Sequence, residues 1–432
     1  MENKNENQDL PVFDEKKKES KLKIKITNKL AEREQRAADN DVIFSEKLGK
    51  QETVDESKPL TKGSIDMWFL LWAMLLICFG AVMSYSASAV FAEQRYDSST
   101  YLFWRHIGFS VLAIAITAVF VAIARPWMWR IFGVIAYAAA VVLLILVRLI
   151  GDTGGGAQRW IEIGPIMIQP SEIAKTAVVM VLALYMAKYE KQINSTHKFG
   201  GNFKHGFFVP MIIIGILCGL IILQPHLSGT IIVGLIGLMV MFLAGTRLKW
   251  LAIFVGIIGV VGILFISFFG YSMERVQIWL NIDKVNPLGE AWQTLQGLYA
   301  IGSGGFFGVG LGSSRQKFGY VSQPQNDFIF TIICEELGFV GAFVLVFLFG
   351  LLVWRGIKIG QNAPDKFCSL VVWGLTLKIA LQVLLNIAVV TNSMPNTGIS
   401  LPFFSSGGSS LMLQIFEVGI ILSISRFSTQ KK

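Results

Sequence analysis

Charged residues are few in this 432-residue chain: Asp, Glu, Lys and Arg together make up 16%, against 53% hydrophobic residues. Soluble domains carry about 25% charge, so a water-soluble globular fold is excluded and a polytopic membrane protein is what the composition describes. Cysteine is scarce as well. Cys78, Cys218, Cys334 and Cys368 stand singly in or beside apolar runs with no Cys-x-x-Cys pair, which excludes a disulfide framework and leaves four small core hydrophobes. The four histidines, His106, His197, His205 and His226, lack the His-x-x-x-His spacing that puts two imidazoles on one helix face, which argues against a structural zinc site. There is no Gly-x-x-x-x-Gly-Lys-Ser/Thr, and no Gly-x-Gly-x-x-Gly follows a soluble strand; nucleotide-driven transport therefore has no engine here.

What the chain has is long apolar runs, with a mean hydropathy of +0.57. About 20 helical residues cross a bilayer, and runs of that order lie at 67–89, 104–124, 130–150, 171–188, 207–223, 228–244, 249–270, 328–354, 366–391 and 407–427. The expectation is an all-α polytopic bundle of about ten transmembrane helices. Lys and Arg near span ends stay on the cytoplasmic side. With the N-terminus inside, 14 cations after residue 63 fall on the inner side, while the eight on the outer side are balanced by eight acids. Both termini are thus expected in the cytoplasm, with a large outer loop at about 271–327 between spans seven and eight.

Residues 1–63 stand apart, with 14 Lys/Arg, 14 Asp/Glu and hardly any aromatics. Such a composition cannot bury a core, so a disordered or partly helical cytoplasmic tail is expected, followed by a membrane domain at 64–428 and a short cytoplasmic tail at 429–432. The apolar run near residue 67 is too long for a cleaved signal and reads as the first anchor. The net charge of +9 follows loop side rather than one patch, which argues against a nucleic-acid partner.

A few polar residues sit where hydrocarbon should begin. Asp327 opens the eighth span, and an acid there is a functional-site hypothesis by default. Glu172 and Lys175, at i and i+3 in the first turn of the fourth span, share a helix face, with Pro170 at the helix start where its missing N–H costs least. Glu335 and Glu336 lie deeper, and Lys378 near mid-membrane. Each has a plainer reading. Asp327 can serve as a helix cap, Glu172 with Lys175 as a self-neutralising buried pair, and Lys378 and Glu335/Glu336 as interhelical partners.

Gln158-Arg159-Trp160-Ile161 through Gln169-Pro170-Ser171-Glu172-Ile173-Ala174-Lys175 resembles a block of the SEDS (FtsW/RodA) family of bacterial cell-wall polymerases. Gln224-Pro225-His226-Leu227-Ser228-Gly229-Thr230, the stretch 302–338 with Asp327-Phe328-Ile329-Phe330 and Glu335-Glu336-Leu337-Gly338, and the stretch 395–411 with Gly407-Gly408-Ser409-Ser410 are similar to three further family blocks, in order. The segment Gly312-Ser313-Ser314-Arg315-Gln316-Lys317 and the polar tail look more like the family's division branch than its elongation branch.

The resemblance implies a SEDS-type bundle and a glycosyltransferase that polymerises lipid II, an undecaprenyl-diphosphate-linked disaccharide pentapeptide, outside the inner membrane at the division septum. It implies a class B penicillin-binding protein transpeptidase and other divisome membrane proteins as partners. On this reading Asp327 is the general base, with Glu172 and Lys175 beside it as catalytic candidates. Arg159, Gln224, Arg315, Lys317 and Ser409 are candidates for substrate binding. No cofactor is required with certainty; a divalent cation, Mg or Mn, is a candidate for meeting the diphosphate. Gln325-Asn326, Pro225-His226 and Ser405-Ser406-Gly407 depart from the family's His-Thr, Pro-Asp and Ser-Tyr-Gly. A lipid II flippase and a non-catalytic divisome scaffold are the alternatives from other classes.

Overall fold

The apolar runs form helices in the structure, a computed structural model that describes residues 63–427 apart from 155–156, 165, 195–200, 225, 269–274, 276, 283–285, 287–288, 290 and 406. The tail assigned to residues 1–63, but for Gly63, and the end at 429–432 lie outside the described residues. We number the helices α1 (Met67–Tyr96), α2 (Tyr101–Ile123), α3 (Pro126–Ile150), α4 (Pro170–Lys188), α5 (Val209–Ile222), α6 (Leu227–Leu243), α7 (Leu248–Phe268), α8 (Trp292–Ser303), α9 (Ile329–Gln361), α10 (Lys366–Val390) and α11 (Gly408–Ser425).

Among the described residues eight helical segments are long and apolar enough to cross a membrane, and Leu227–Leu243 and Leu248–Ile257 are shorter apolar segments. The protein is a multi-pass membrane protein. The ten expected spans correspond to α1–α7 and α9–α11, with the fifth extended at its start by a π-helical turn, Asn202–Phe208. The two ends of the membrane part meet: Gly63 N–H donates to Arg426 O at 2.7 Å, and Asp66 N–H to Ser425 Oγ at 3.1 Å. Ends that meet on one side require an even number of crossings, in keeping with ten.

The all-α expectation needs one addition. Between α3 and α4 the chain forms a three-stranded antiparallel sheet, ordered β1 (Asp152–Gly154), β2 (Ala157–Ile163) and β3 (Ile166–Ile168). Ile163 pairs with Ile166 across a two-residue turn, and Gly164 takes the positive φ of 60° there that such hairpin turns need. Glycines at 151, 154, 155, 156 and 164 disfavour a helix here.

The bundle centre is α4, α10 and α11, whose most apolar stretches are 72%, 67% and 78% buried, against 22% for α2 and α9. Helix α4 packs on α3, α6 and α10, and α11 on α2. Their central place matches their sequences, since these three spans carry the buried charges Glu172, Lys175, Lys378 and Glu417, which lipid would not tolerate.

Helix α9 is broken. Gly338 has φ 66° and ψ −164°, a conformation essentially reserved for glycine. The glycine-rich loop that follows α8 enters the break: Val309 N–H donates to Glu335 O at 2.9 Å, Gly310 N–H to Glu336 O at 3.0 Å, and Phe339 N–H to Gly305 O at 3.0 Å. A Cβ on Gly338 would lie 2.3 Å from Gly308 N. The loop is therefore not a free turn; its backbone replaces the hydrogen bonds the helix gives up.

Candidate active site

Asp327 lies two residues before α9, in a turn, so its side chain projects at the helix mouth rather than from a continuous helical face. It is half-buried. Removal from water pushes its carboxyl pKa up to about 6, against the opposing pull of a backbone N–H and of Arg275. No side-chain cap bond is made at the start of α9, so the capping reading has no support in the geometry.

The loop between α10 and α11 closes over this acid. A Cβ on Gly398 would stand 3.6 Å from Asp327 Oδ2, and Gly398 has φ +64°. Four anchors hold the loop: Arg275 Nη1 donates to Asn396 O at 2.9 Å, Trp279 Nε1 to Asn392 O at 3.1 Å, Ser228 Oγ to Thr397 O at 2.5 Å, and Asn386 Nδ2 to Ile399 O at 2.6 Å. Because Ser228 lies in the first turn of α6, the segment Thr397–Gly398 bridges the start of α6 and the acid.

Glu172 and Lys175 form the pair that their spacing predicts, with Lys175 Nζ donating to Glu172 Oε1 at 2.6 Å and both side chains nearly buried. The pair belongs to a larger set. Lys378 on α10 is ion-paired to Glu417 on α11, both side chains at 0% exposure, and Thr176 on α4 donates to the same carboxylate. Glu172 feels Lys378 and His226 as well as Lys175, and Lys175 feels Lys378 and Glu417. Two lysines and two carboxylates thus compensate one another at the centre of the bundle, which is how buried charge is tolerated.

His226, half-buried ahead of α6, is pushed down to about 4 by burial, then by Arg159 and Lys175, with Glu172 opposing. It is neutral at pH 7. Its imidazole lies so close to Gly229 that a Cβ there would meet Nδ1 at 2.7 Å. Arg159, in β2, therefore acts on the same end of α6 as the Glu172–Lys175 pair.

The remaining candidates are dispersed. Gln224 is buried, its Nε2 donating to Leu144 O at 2.9 Å, which ties α5 to α3. Lys317 is buried with Glu336: its Nζ lies 3.1 Å from that carboxylate and 2.6 Å from Gly312 O, while Ser86 of α1 donates to Glu336 at 2.6 Å. Lys317 thus clamps the loop to α9 and α1 instead of facing open space. Arg315 is exposed, its backbone N–H held by Glu335 at 2.9 Å. Ser409 sits in the first turn of α11, its hydroxyl buried without a hydrogen-bond partner among the described residues. Sequence reasoning passed over Glu417, an acid inside a span that was itself a signal for a partner to Lys378, and Asn386, which falls on the Lys378 face of α10. Arg275 was counted only as one outer cation among eight.

The chain matches the FtsW/RodA/SpoVE family of cell cycle proteins over residues 66–430. It belongs to that family. Stage V sporulation protein E of Bacillus subtilis (strain 168) is 40% identical over 85% of this chain and 98% of its own length. The probable peptidoglycan glycosyltransferase FtsW of Trichlorobacter lovleyi is 36% identical over 85% of this chain and 95% of its own. Among solved structures, a chain from a peptidoglycan synthase complex that coordinates polymerization and crosslinking superposes with a TM-score of 0.68 at 26% identity, covering 85% of this chain and 99% of that one. The rod shape determining protein RodA of Thermus thermophilus has a TM-score of 0.62 at 24% identity, over 85% and 98%, which shows the shared fold. The SEDS resemblance read from the motifs and the polytopic helical fold are thereby established.

Proposed function

We propose that this chain is a peptidoglycan glycosyltransferase that polymerises lipid II into glycan strands at the outer face of the cytoplasmic membrane, with Asp327 as its general base. Glycosyl transfer is the activity for which its FtsW relatives are named. The observation that carries the residue assignment is the setting of Asp327: a carboxyl at the mouth of a span, roofed by a tethered loop, with a pKa of about 6. A base poised near the working pH, and ionised there, accepts a proton most effectively.

In the reaction the acceptor sugar hydroxyl gives its proton to Asp327 while its oxygen bonds to the donor's anomeric carbon. The bond from that carbon to the diphosphate breaks, and the lipid diphosphate leaves with the electron pair. One displacement inverts the centre, so no covalent enzyme intermediate forms. Arg275, which already acts on Asp327, and Arg159 and Lys175, which act on His226, are cations suited to the departing diphosphate. Among the described residues no three His, Cys, Asp or Glu side chains converge as metal ligands. A divalent cation meeting the diphosphate would therefore take most of its ligands from diphosphate oxygens and water.

The synthase-complex neighbour supports a class B penicillin-binding protein as partner, and the FtsW relatives support septal synthesis during division. The 40% identity to a sporulation protein favours a second reading in which the same chemistry serves spore-wall synthesis. A tagged copy at mid-cell in growing cells supports the first setting, and one confined to the forespore supports the second. The chemistry is tested with labelled lipid II and the purified chain bound to its co-expressed transpeptidase: Asp327→Asn is expected to lower polymerisation by a factor of about 10² to 10⁴, and full polymerisation by that variant overturns the reading.

A further inference from the structure

Helix α10 carries Lys378, Gln382 and Asn386 at successive i, i+4 positions, hence on one face, and all three are buried at 1% exposure or less. An amide inside a span is costly unless its hydrogens are met. Both hydrogens of Asn386 Nδ2 are used: one goes to Asp327 O at 2.7 Å and the other to Ile399 O at 2.6 Å. Two carbonyl acceptors also fix which end of the amide faces them, since the reversed amide would set oxygen against oxygen.

These two carbonyls belong to the two segments whose relation defines the site. One is the peptide of the acid itself. The other directly follows Gly398, the residue that faces Asp327 Oδ2. We infer that Asn386 is a positioning residue for Asp327: one side-chain amide holds the start of α9 and the closing loop in register, and so sets the carboxylate against the Thr397–Gly398 segment. The other loop anchors, Ser228, Trp279 and Arg275, donate to loop carbonyls, with Arg275 also acting on Asp327 through its charge; Asn386 donates to a backbone carbonyl of each segment. A base must stand within hydrogen-bond reach of the proton it takes, and an ångström of misplacement costs about 10²-fold in rate.

The inference rests on Asp327 being the base, and the experiment separates the two claims. Asn386→Leu keeps the branching and heavy-atom count of the side chain and removes both donors; Asn386→Thr keeps one donor. Each is purified full-length with its co-expressed transpeptidase beside wild type and Asp327→Asn, and kcat, KM for lipid II and thermal unfolding are measured. For Asn386→Leu kcat is expected to fall about 10- to 100-fold with KM within about threefold and unfolding close to wild type, and Asn386→Thr is expected to lie between. Wild-type kcat in a folded Asn386→Leu overturns the inference, and so does loss of folded protein in both variants, which would make Asn386 a folding residue. Full activity in Asp327→Asn overturns the general-base reading instead, whatever Asn386→Leu does.

Discussion

Asp327 is held between opposing influences. Burial raises its pKa to about 6, while a backbone N–H and Arg275, the charged group acting on it, pull the value back. A carboxyl whose folded pKa exceeds its unfolded value favours the protonated form in the folded state. Stability from this group is therefore full at low pH and is lost as pH rises through the window from about 4 to 6, while activity gains its base over the same window. The buried ions of α4, α10 and α11 are arranged differently, each charge offset by its neighbour. Lys378→Met leaves Glu417 uncompensated in the core and is expected to destabilise by about 3–5 kcal/mol, whereas Lys378→Met combined with Glu417→Leu recovers most of the loss; thermal unfolding of the two variants checks this, and equal losses would contradict it. Glu172, Lys175 and Asp327 could be singled out in the sequence because a charge in an apolar run is conspicuous by itself. Lys317 shows where that reasoning stops. Its place in an outer loop suggested a contact to diphosphate; the structure pairs it with Glu336 in α9, 19 residues on, and no helical spacing announces a meeting that depends on how the loop folds back.

At the scale of elements, the ten spans and their order were readable because hydropathy over a window of this length depends on composition alone. The break in α9 was not. Gly338 falls inside an apolar run that reads as continuous helix, and only the approach of Gly304 and Gly308 to it and its neighbours, with Cβ positions that would fall 1.9 to 2.3 Å from facing backbone, shows that loop and helix share one hydrogen-bonded junction. Gly338→Ala adds a Cβ at a positive φ with no room for it. It is expected to cost at least about 2 kcal/mol and to speed proteolysis within the segment 300–327; an unchanged unfolding midpoint and cleavage rate would mean that the junction is dispensable. The small sheet before α4 escaped the sequence reading for a related reason, since strands of three and seven residues carry too short a pattern to outweigh their glycine-rich surroundings.

For the whole molecule, the meeting of Gly63 with Arg426 closes the membrane domain on one side and leaves Asp327 at the opposite end of a bundle with an even number of spans. The central helices carry a compensated ion set, and from it the polar face of α10 runs through Asn386 to the peptide of Asp327. The site is thus an outgrowth of the same buried face that unites the core, with the closing loop tied to α6, α10 and the segment of Arg275 and Trp279. The most direct test of this account is the pH dependence of kcat for lipid II polymerisation by the full chain with its transpeptidase. The account predicts an acid limb with its midpoint near pH 6, absent from the residual rate of Asp327→Asn; a wild-type rate that stays flat down to pH 5, or a limb that persists in Asp327→Asn, would contradict it.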